Sequence, residues 1–517
     1  MPHAAPSTPL RPEHAIVIGG SMAGLLAARV LADSFARVTL IERDRFPDGP
    51  VFRAGVPQSR HAHILLLRGR LLLEQFFPGI VAELRASGAE NVNWPRDMLW
   101  LSPGGWSARY DGIEMLTGSR ELIEWTVRRR VAALPAMRFV ERCDAVGLLP
   151  SADGKAVAGV RLRHRDSAAG DEDGEAPPLR KDEELAADLV VDASGRDSQA
   201  PRWLEALGYP APEQVTINPL LGYGSRYYAR PPDLDLGWQG ALFSGTPAAP
   251  RAAVLLPIEG NRWHVTVAGM GGDYPPTDNA GFLEFLRELR SPLLYDVLRD
   301  AAPLSPVVGY RRTENQMRRY ERLAHRPERF VVLGDAACAF NPIYGQGMTV
   351  AALSADLLGT CLRERASSGD GQRASTGRPY DGRRSSGDFG GVAGDFQRRL
   401  AGVIGLAWLL ATGEDTRYPT TQGPRPGMSA RLAHRYFDRV IAATTDTPHV
   451  GRTFLSVAHL LIPPSALFSP RIAYAALATG KHEGLPAPPL RLQPPDASAL
   501  PAAVAADTRQ SGDEAGE

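Results

Sequence analysis

Residues 14–18, HAIVI, form a short uninterrupted apolar run; GGSMAG follows, then LLAARVLADS with apolar residues at helical spacing, then ARVTLIER. That order predicts a strand, a tight turn, an amphipathic helix and a second strand within about 30 residues. Residues 138–163 read as a strand pair around the turn signal Ala152-Asp153-Gly154, and Leu185–Asp192 (LAADLVVD) as a further buried strand. Several strands are predicted between 216 and 270. The clearest lie in RAAVLLPIEGNRWHVTVAG, where Glu259-Gly260-Asn261 joins two apolar runs as a hairpin. Residues 282–300 (FLEFLRELRSPLLYDVLRD) carry a helical period, Arg329–Asp335 (RFVVLGD) is a late buried strand, and the chain from Gly347 onward is mostly helical. The pattern predicts an α/β protein whose αβ units are split by a strand-rich insertion and followed by a helical end.

Polar, small-residue stretches divide this pattern. Residues 1–13 and 484–517 are Pro/Ala-rich or acidic tails, and 366–394 is a Gly/Ser/Arg insert with almost no apolar anchors. Such segments bury too little to offset their ordering entropy and are expected to be disordered. A shorter polar loop, 164–184, separates two strand-like runs. The expected organisation is a first αβ part at 14–215, an inserted mixed β-sheet at 216–325, a return of the αβ part at 326–365, and a helical region at 395–483. The 517 residues hold 58 basic and 58 acidic side chains, a formal charge of zero. That balance argues against a nucleic-acid or membrane-surface protein driven by bulk positive charge. The apolar stretch 400–412 is too short to span a bilayer, and 453–468 is broken by Pro463-Pro464. Three scattered cysteines (Cys143, Cys338, Cys361) make neither a disulfide framework nor a zinc site. With no apolar leader at the N-terminus, a cytoplasmic location is expected.

Two segments carry the chemistry. In Gly19-Gly20-Ser21-Met22-Ala23-Gly24 a strand-ending glycine suits a tight turn, and the last glycine suits close helix–strand packing. The helix N-terminus that follows is built to hold a pyrophosphate. Ser21 stands where the usual dinucleotide motif has its middle glycine. Glu42 ends the second strand 18 residues after Gly24, where an acid accepts bonds from ribose hydroxyls. The second segment is Gly334-Asp335-Ala336-Ala337, after a strand and before FNPIYGQGM. A second strand-end acid followed by a Gly-rich turn into a helix suits a long cofactor held at both ends, with Asp335 on ribityl hydroxyls. Pro342, Gly345 and Gly347 let the backbone come close to a flat ring.

GGSMAG…IER, DASGRDS (192–198) and GDAACAFNPIYGQGM (334–348) resemble the three fingerprints of the FAD-dependent monooxygenases of the aromatic-hydroxylase fold. GVPQSRHAHILLLRGRLLLEQFFPG (55–79), SRELIEWTVR (119–128) and LATGEDTRYP (410–419) resemble the bacterial polyether-epoxidase and squalene-epoxidase-like branch. The resemblance spans roughly residues 14–480. It implies an FAD-binding Rossmann-like domain of the GR2 type, an inserted β-sheet substrate domain and a helical C-terminal region. By the same resemblance Gly19, Gly20, Ser21, Met22, Ala23, Gly24, Glu42 and Arg43 serve the adenosine-pyrophosphate side. Arg120 lies near the flavin pyrophosphate, and the backbone of Val146 touches adenine. Asp335 binds the ribityl chain, while Pro342, Gly345, Gln346, Gly347 and Met348 form the loop under the isoalloxazine ring. The stretch with Arg53, Gln58, Arg60, His61 and His63 passes near the flavin; His61 and His63 are the catalytic candidates. Ser194 interrupts the family's Asp-Gly pair, so that either Asp192, with Gly195, or Arg196 takes its role near the pyrophosphate or pyridine nucleotide.

On a strand, His61 and His63 would share a face, but metal ligation needs further ligands that the chain does not obviously supply, and no metal is expected. Cys338 fits a small buried slot better than a covalent flavin bond. Trp238, Trp263 and Trp408 are pocket candidates, with Trp263 in a strand pattern that suits the core.

The resemblance implies reduction of FAD by NAD(P)H, directly or through a partner reductase, and reaction with dioxygen. One oxygen then passes from a flavin 4a-hydroperoxide to a hydrophobic secondary metabolite. Epoxidation of a polyketide or terpenoid alkene needs no protein base, which suits the absence of any evident acid/base pair. Phenol hydroxylation and flavin-dependent reduction of polyprenyl double bonds remain alternatives on the same fold. A halogenase would carry a Trp-x-Trp-x-Ile-Pro signature, which the chain lacks.

Overall fold

The computed structural model describes residues 12–165, 182–376, 390–425, 427–478 and 487–489. His14–Ile18 is buried along its whole length because it lies mid-sheet with strands on both sides. The sheet has five parallel strands in the order Phe330–Val332, Leu189–Asp192, His14–Ile18, Arg37–Ile41, Met137–Val140. Parallel sheets are covered on both faces, hence the continuous Ile/Val/Leu runs. The helices Met22–Leu31, Arg120–Ala132 and Gly347–Thr376 supply that cover. An antiparallel sheet of three strands, Cys143–Pro150, Val157–His164 and Glu183–Ala186, stands beside it.

The insertion is a seven-stranded sheet in the order Val308–Tyr310, Gly222–Ala229, Arg262–Gly269, Arg251–Ile258, Gly240–Phe243, Met98–Ser102, Gly105–Trp106. The hairpin expected at Glu259-Gly260-Asn261 joins its two longest partners, paired from Arg251↔Gly269 to Ile258↔Arg262. One face packs on Phe282, Phe285 and Leu286 in a core of its own. A small sheet of Gln214–Ile217, Asn315–Arg318 and Cys338–Ala339 joins the insertion to the parallel-sheet domain. The helix Val392–Asp415 sends Phe396, Leu400, Ile404, Ala407 and Ala411, one helical stripe, into the core of the parallel-sheet domain. Met428–Ala443, Pro448–Ala458 and Pro470–Ala478 bury their apolar faces against one another.

Three expectations change. Met98–Ser102 and Gly105–Trp106 belong to the inserted sheet and not to a continuous first part at 14–215, because Met98–Leu101 pairs in parallel with Gly240–Phe243. A Cβ on Gly240 would lie 2.3 Å from Met98 Sδ, so a glycine permits the approach. The helix expected over 282–300 is two helices, Asn279–Arg287 and Leu293–Leu298, because Pro292 cannot continue the first. The segment 366–394 is partly helical: Gly347–Thr376 runs into it and Val392–Asp415 starts inside it, while 377–389 lies outside the described residues. Most of 164–184, together with the tail residues 1–11, 484–486 and 490–517, also lies outside them. No helix among the described residues is long and apolar enough to cross a membrane.

Candidate functional site

The turn after the first strand is compressed. Gly19 has φ +99°, its N–H bonds the Ile41 carbonyl at 2.8 Å, and a Cβ on Gly24 would lie 1.8 Å from the Gly19 oxygen. Both positions therefore require glycine. Ser21 sits at the N-cap of Met22–Leu31 but does not cap it. Its hydroxyl instead donates to Glu124 Oε2 (3.0 Å) and accepts from Arg120 Nη2 (2.8 Å). Among the described residues no side chain accepts from the first N–H groups of this helix, which remain available to an anion.

Around the turn lies a buried cluster of charges. Arg53 reaches Glu124 Oε1 through Nε (3.1 Å) and Nη2 (3.0 Å), Glu42 Oε2 and Asp44 Oδ2 through Nη1 (3.3 Å each), and the Gly20 carbonyl (3.0 Å). Arg120 Nη2 bonds Glu124 Oε2 at 2.6 Å, one helical turn apart. Glu42 Oε2 also accepts from Gly20 N–H at 2.8 Å. Burial works against the charge of Glu124, yet Arg120 and Arg53 hold its carboxyl below the ordinary range.

The second segment meets the first directly. Gly334, at φ +60°, lies so close to Ala23 that a Cβ there would come within 2.5 Å. Asp335 follows, in the wall of the same cavity, and among the described residues its carboxylate has no hydrogen-bond partner. Burial pushes its pKa up, with Arg196 and Arg120 opposing.

The cavity, about 460 Å³, is bounded by the first turn, Glu42, the stretch from Arg53 to Ile64, the loop Phe340–Met348 and the inserted sheet. Gly19, Gly20, Ser21, Met22, Ala23, Arg43, Gln58, His61, His63, Arg120, Gly195, Asp335, Pro342, Gly345, Gly347 and Met348 line it, as expected positions brought together by the fold. Five expected residues stand outside its lining. Gly24 packs under the turn, and Gln346 is buried beside its loop. Arg60 is exposed and stacks over Phe52, and Val146 is absent from the lining although Cys143, Asp144 and Ala145 on the same strand belong to it. Asp192 is fully buried, its carboxylate taken by Ser194 N–H and the Ser198 hydroxyl, so that Arg196 is the member of that pair at the cavity.

His61 and His63 lie on an irregular segment and find separate partners: His61 Nδ1 bonds the Ser225 hydroxyl and His63 Nδ1 the carbonyl of His61, each at 2.7 Å. Burial lowers their pKa values to about 4 and about 3. Cys338 is buried in a strand, Trp238 and Trp263 belong to the core of the inserted sheet, and Trp408 packs on the parallel-sheet core; none lines the cavity, whereas Trp203 does. The resemblance implies a substrate domain in the inserted sheet, but it names none of the residues of this wall. Leu242, Ala252, Val254, Thr266 and Ala268 face the cavity while their neighbours Phe243, Leu255, Val265 and Val267 face the second core. The period-2 alternation is readable in the sequence, but not which face meets a cavity.

No profile of a known protein family matches the chain. The Mycobacterium tuberculosis protein Rv3254 is 30% identical over 450 residues, 86% of this chain and 88% of its own length. The chain belongs to the family of Rv3254. Among solved structures, PqsL of Pseudomonas aeruginosa, a probable FAD-dependent monooxygenase, matches 78% of this chain and 97% of its own at TM-score 0.54 and 16% identity. The p-nitrophenol 4-monooxygenase PnpA of Pseudomonas putida matches 88% of this chain and 99% of its own at 0.57 and 16%. The flavin-dependent brominase Bmp2 matches 90% and 98% at 0.58 and 12%. The chain therefore has the fold of the FAD-binding monooxygenases.

Two measurements probe the site itself. Glu124→Gln leaves Arg53 and Arg120 without their shared buried counter-charge and is expected to cost about 3–5 kcal/mol of stability, read from urea unfolding. A second expectation concerns pH. His61, His63, His264 and His459 have pKa values lowered by burial to about 4, 3, 3 and 4 from an ordinary 6.5. Below pH 6.5 the unfolded chain takes up protons that the folded chain does not, so their contribution is full above 6.5 and falls toward pH 4. Urea midpoints at pH 7.5 and 5 should differ accordingly, and the difference should shrink in His264→Gln.

Proposed function

We propose that the protein is an FAD-dependent monooxygenase that places one oxygen atom of dioxygen on a hydrophobic small molecule, epoxidising an alkene of the polyketide or terpenoid kind. The observation that carries this reading is the joining of two half-sites in one cavity: the uncapped start of Met22–Leu31 beside Ser21 and Arg120, and the carboxylate of Asp335, unpartnered among the described residues. These residues fit the dinucleotide. The helix N–H groups and Arg120 would hold its pyrophosphate, Glu42 its adenosine ribose, and Asp335 its ribityl hydroxyls. Bound FAD would supply dioxygen activation and oxygen transfer, with NAD(P)H as reductant, directly or through a reductase.

The chain's own contribution is binding, orientation and exclusion of water. The small side chains of Ala252, Thr266 and Ala268 leave room against the sheet, and Leu242 and Val254 make that wall apolar. His61 and His63, with pKa values of about 4 and 3, are weak bases at neutral pH. A general base works best near the operating pH, so this wall suits a reaction that needs none. Resemblance of residues 55–79 and 410–419 to the epoxidase branch supports the alkene assignment.

Two experiments test the reading. Purified protein should take up FAD and not FMN, and Asp335→Ala should weaken FAD binding at least about tenfold, the loss of one charge-assisted hydrogen bond. Unchanged binding in that variant would remove Asp335 from the site. Turnover under labelled dioxygen should place one label in an isolated alkene of a polyene. Label found only in a phenol would establish the hydroxylase, and two added hydrogens without label the reductase.

A further inference from the structure

The motif LATGEDTRYP lies outside the cavity lining, but one of its residues is bonded to that lining. Asp415, the last residue of Val392–Asp415, is completely buried. Its carboxylate accepts from Asn315 Nδ2 (2.6 Å), from Asn341 Nδ2 (2.9 and 3.1 Å) and from the Tyr344 hydroxyl (2.8 Å). Its carbonyl accepts from the Thr421 hydroxyl at 2.5 Å. Among the described residues no cation pairs with it; Arg417 is turned to Glu414 and Asp438. Tyr223, Tyr344, Tyr418 and Glu414 are the titratable groups that face it.

A carboxylate at the C-terminal end of a helix opposes the helix dipole, and burial without a cation adds a desolvation penalty. Burial indeed raises its pKa to about 6, against the pull of Asn341, Tyr344 and Asn315. Helix stability therefore gives no reason for an acid here. Its bonds give one. Asn341, Pro342, Ile343 and Gly345 line the cavity, and Asn341 is held on three sides. Its N–H donates to Asn315 Oδ1 (2.7 Å), its Oδ1 accepts from Ile343 N–H (3.2 Å) and the Tyr223 hydroxyl (3.4 Å), and its Nδ2 is bound by Asp415. Only an acceptor-only group can take both amides and the phenol at once.

We propose that Asp415 is a positioning residue: from the helical region it fixes Asn341 and Tyr344, and through them the shape of the 340–346 wall of the cavity. The proposal rests on the flavin reading for its optical test alone. Asn341 Nδ2 lies against both carboxylate oxygens, so in Asp415→Asn an amide nitrogen faces that donor in either orientation, and the tether of the loop weakens. Tyr344→Phe removes one bond only. Asn341→Asp combined with Asp415→Asn restores a carboxylate–amide pair with the partners exchanged.

Hydrogen–deuterium exchange of flavin-free protein should show residues 340–346 exchanging at least about tenfold faster in Asp415→Asn, with residues 14–31 unchanged. A smaller rise is expected in Tyr344→Phe, and recovery in the exchanged pair. With FAD bound, the wild-type visible spectrum should titrate with a midpoint near 6, and Asp415→Asn should lose that titration. Unchanged exchange at 340–346, an equal rise throughout the chain, or no recovery in the exchanged pair would overturn the proposal. Should Asp415→Asn fail to fold, Tyr344→Phe decides on the same readout. Wild-type protein that takes up no FAD would overturn the flavin reading, while exchange would still decide the role of Asp415.

Discussion

The guanidinium of Arg53 holds the site together. It binds Glu124 on one helix, Glu42 at the end of the second strand, Asp44 just beyond it and the carbonyl of Gly20 in the first turn. Three pieces of chain distant in sequence thus share one buried cation. Glu124 gives its other oxygen to Arg120 and Ser21, so the same cluster turns Ser21 away from the helix it precedes. The uncapped helix start follows from that arrangement: without Glu124 and Arg120 the hydroxyl would be free to satisfy those N–H groups itself. Buried charges without partners are costly, and here each carries several bonds.

The cavity exists because two sheets of different character meet across it. The parallel sheet is buried on both faces and presents only its strand ends, Gly19 and Asp335, which is where ligands of open α/β sheets bind. The antiparallel sheet of the insertion has two distinct faces, one filled by Phe282 and its neighbours and one turned to the cavity. Between them, His61 and its bonded chain through Ser225 and Thr266 join the loop before the helix Leu67–Phe76 to the inserted sheet. The wall opposite is fastened from the C-terminal region through Asp415.

Local patterns carried some positions to the right place and misplaced others for identifiable reasons. Gly19, Gly20, Asp335 and the 342–348 loop were legible because a strand end, a turn and a helix start follow one another within a few residues. Asp192 looked equivalent, at the end of its own strand, but Ser194 and Ser198 fold back onto its carboxylate and leave Arg196 at the cavity. Met98–Ser102 read as part of the first domain because its partner, Gly240–Phe243, lies far along the chain. The helix at 282–300 was continued through Pro292 on periodicity alone.

The sequence by itself determined the elements and their order: the apolar runs, the turn glycines, and the pairing of a strand-end acid with a helix start at both ends of the domain. These are properties of short windows, set by backbone sterics and by which faces must avoid water. Only the tertiary structure decided which groups are paired. Whether Glu42 meets Arg53, whether Ser21 caps its helix, and whether Asp415 faces Asn341 and Tyr344 depend on contacts between residues far apart in the chain. Hydrogen bonds and ion pairs act over a few ångströms, and folding alone brings such groups within that range.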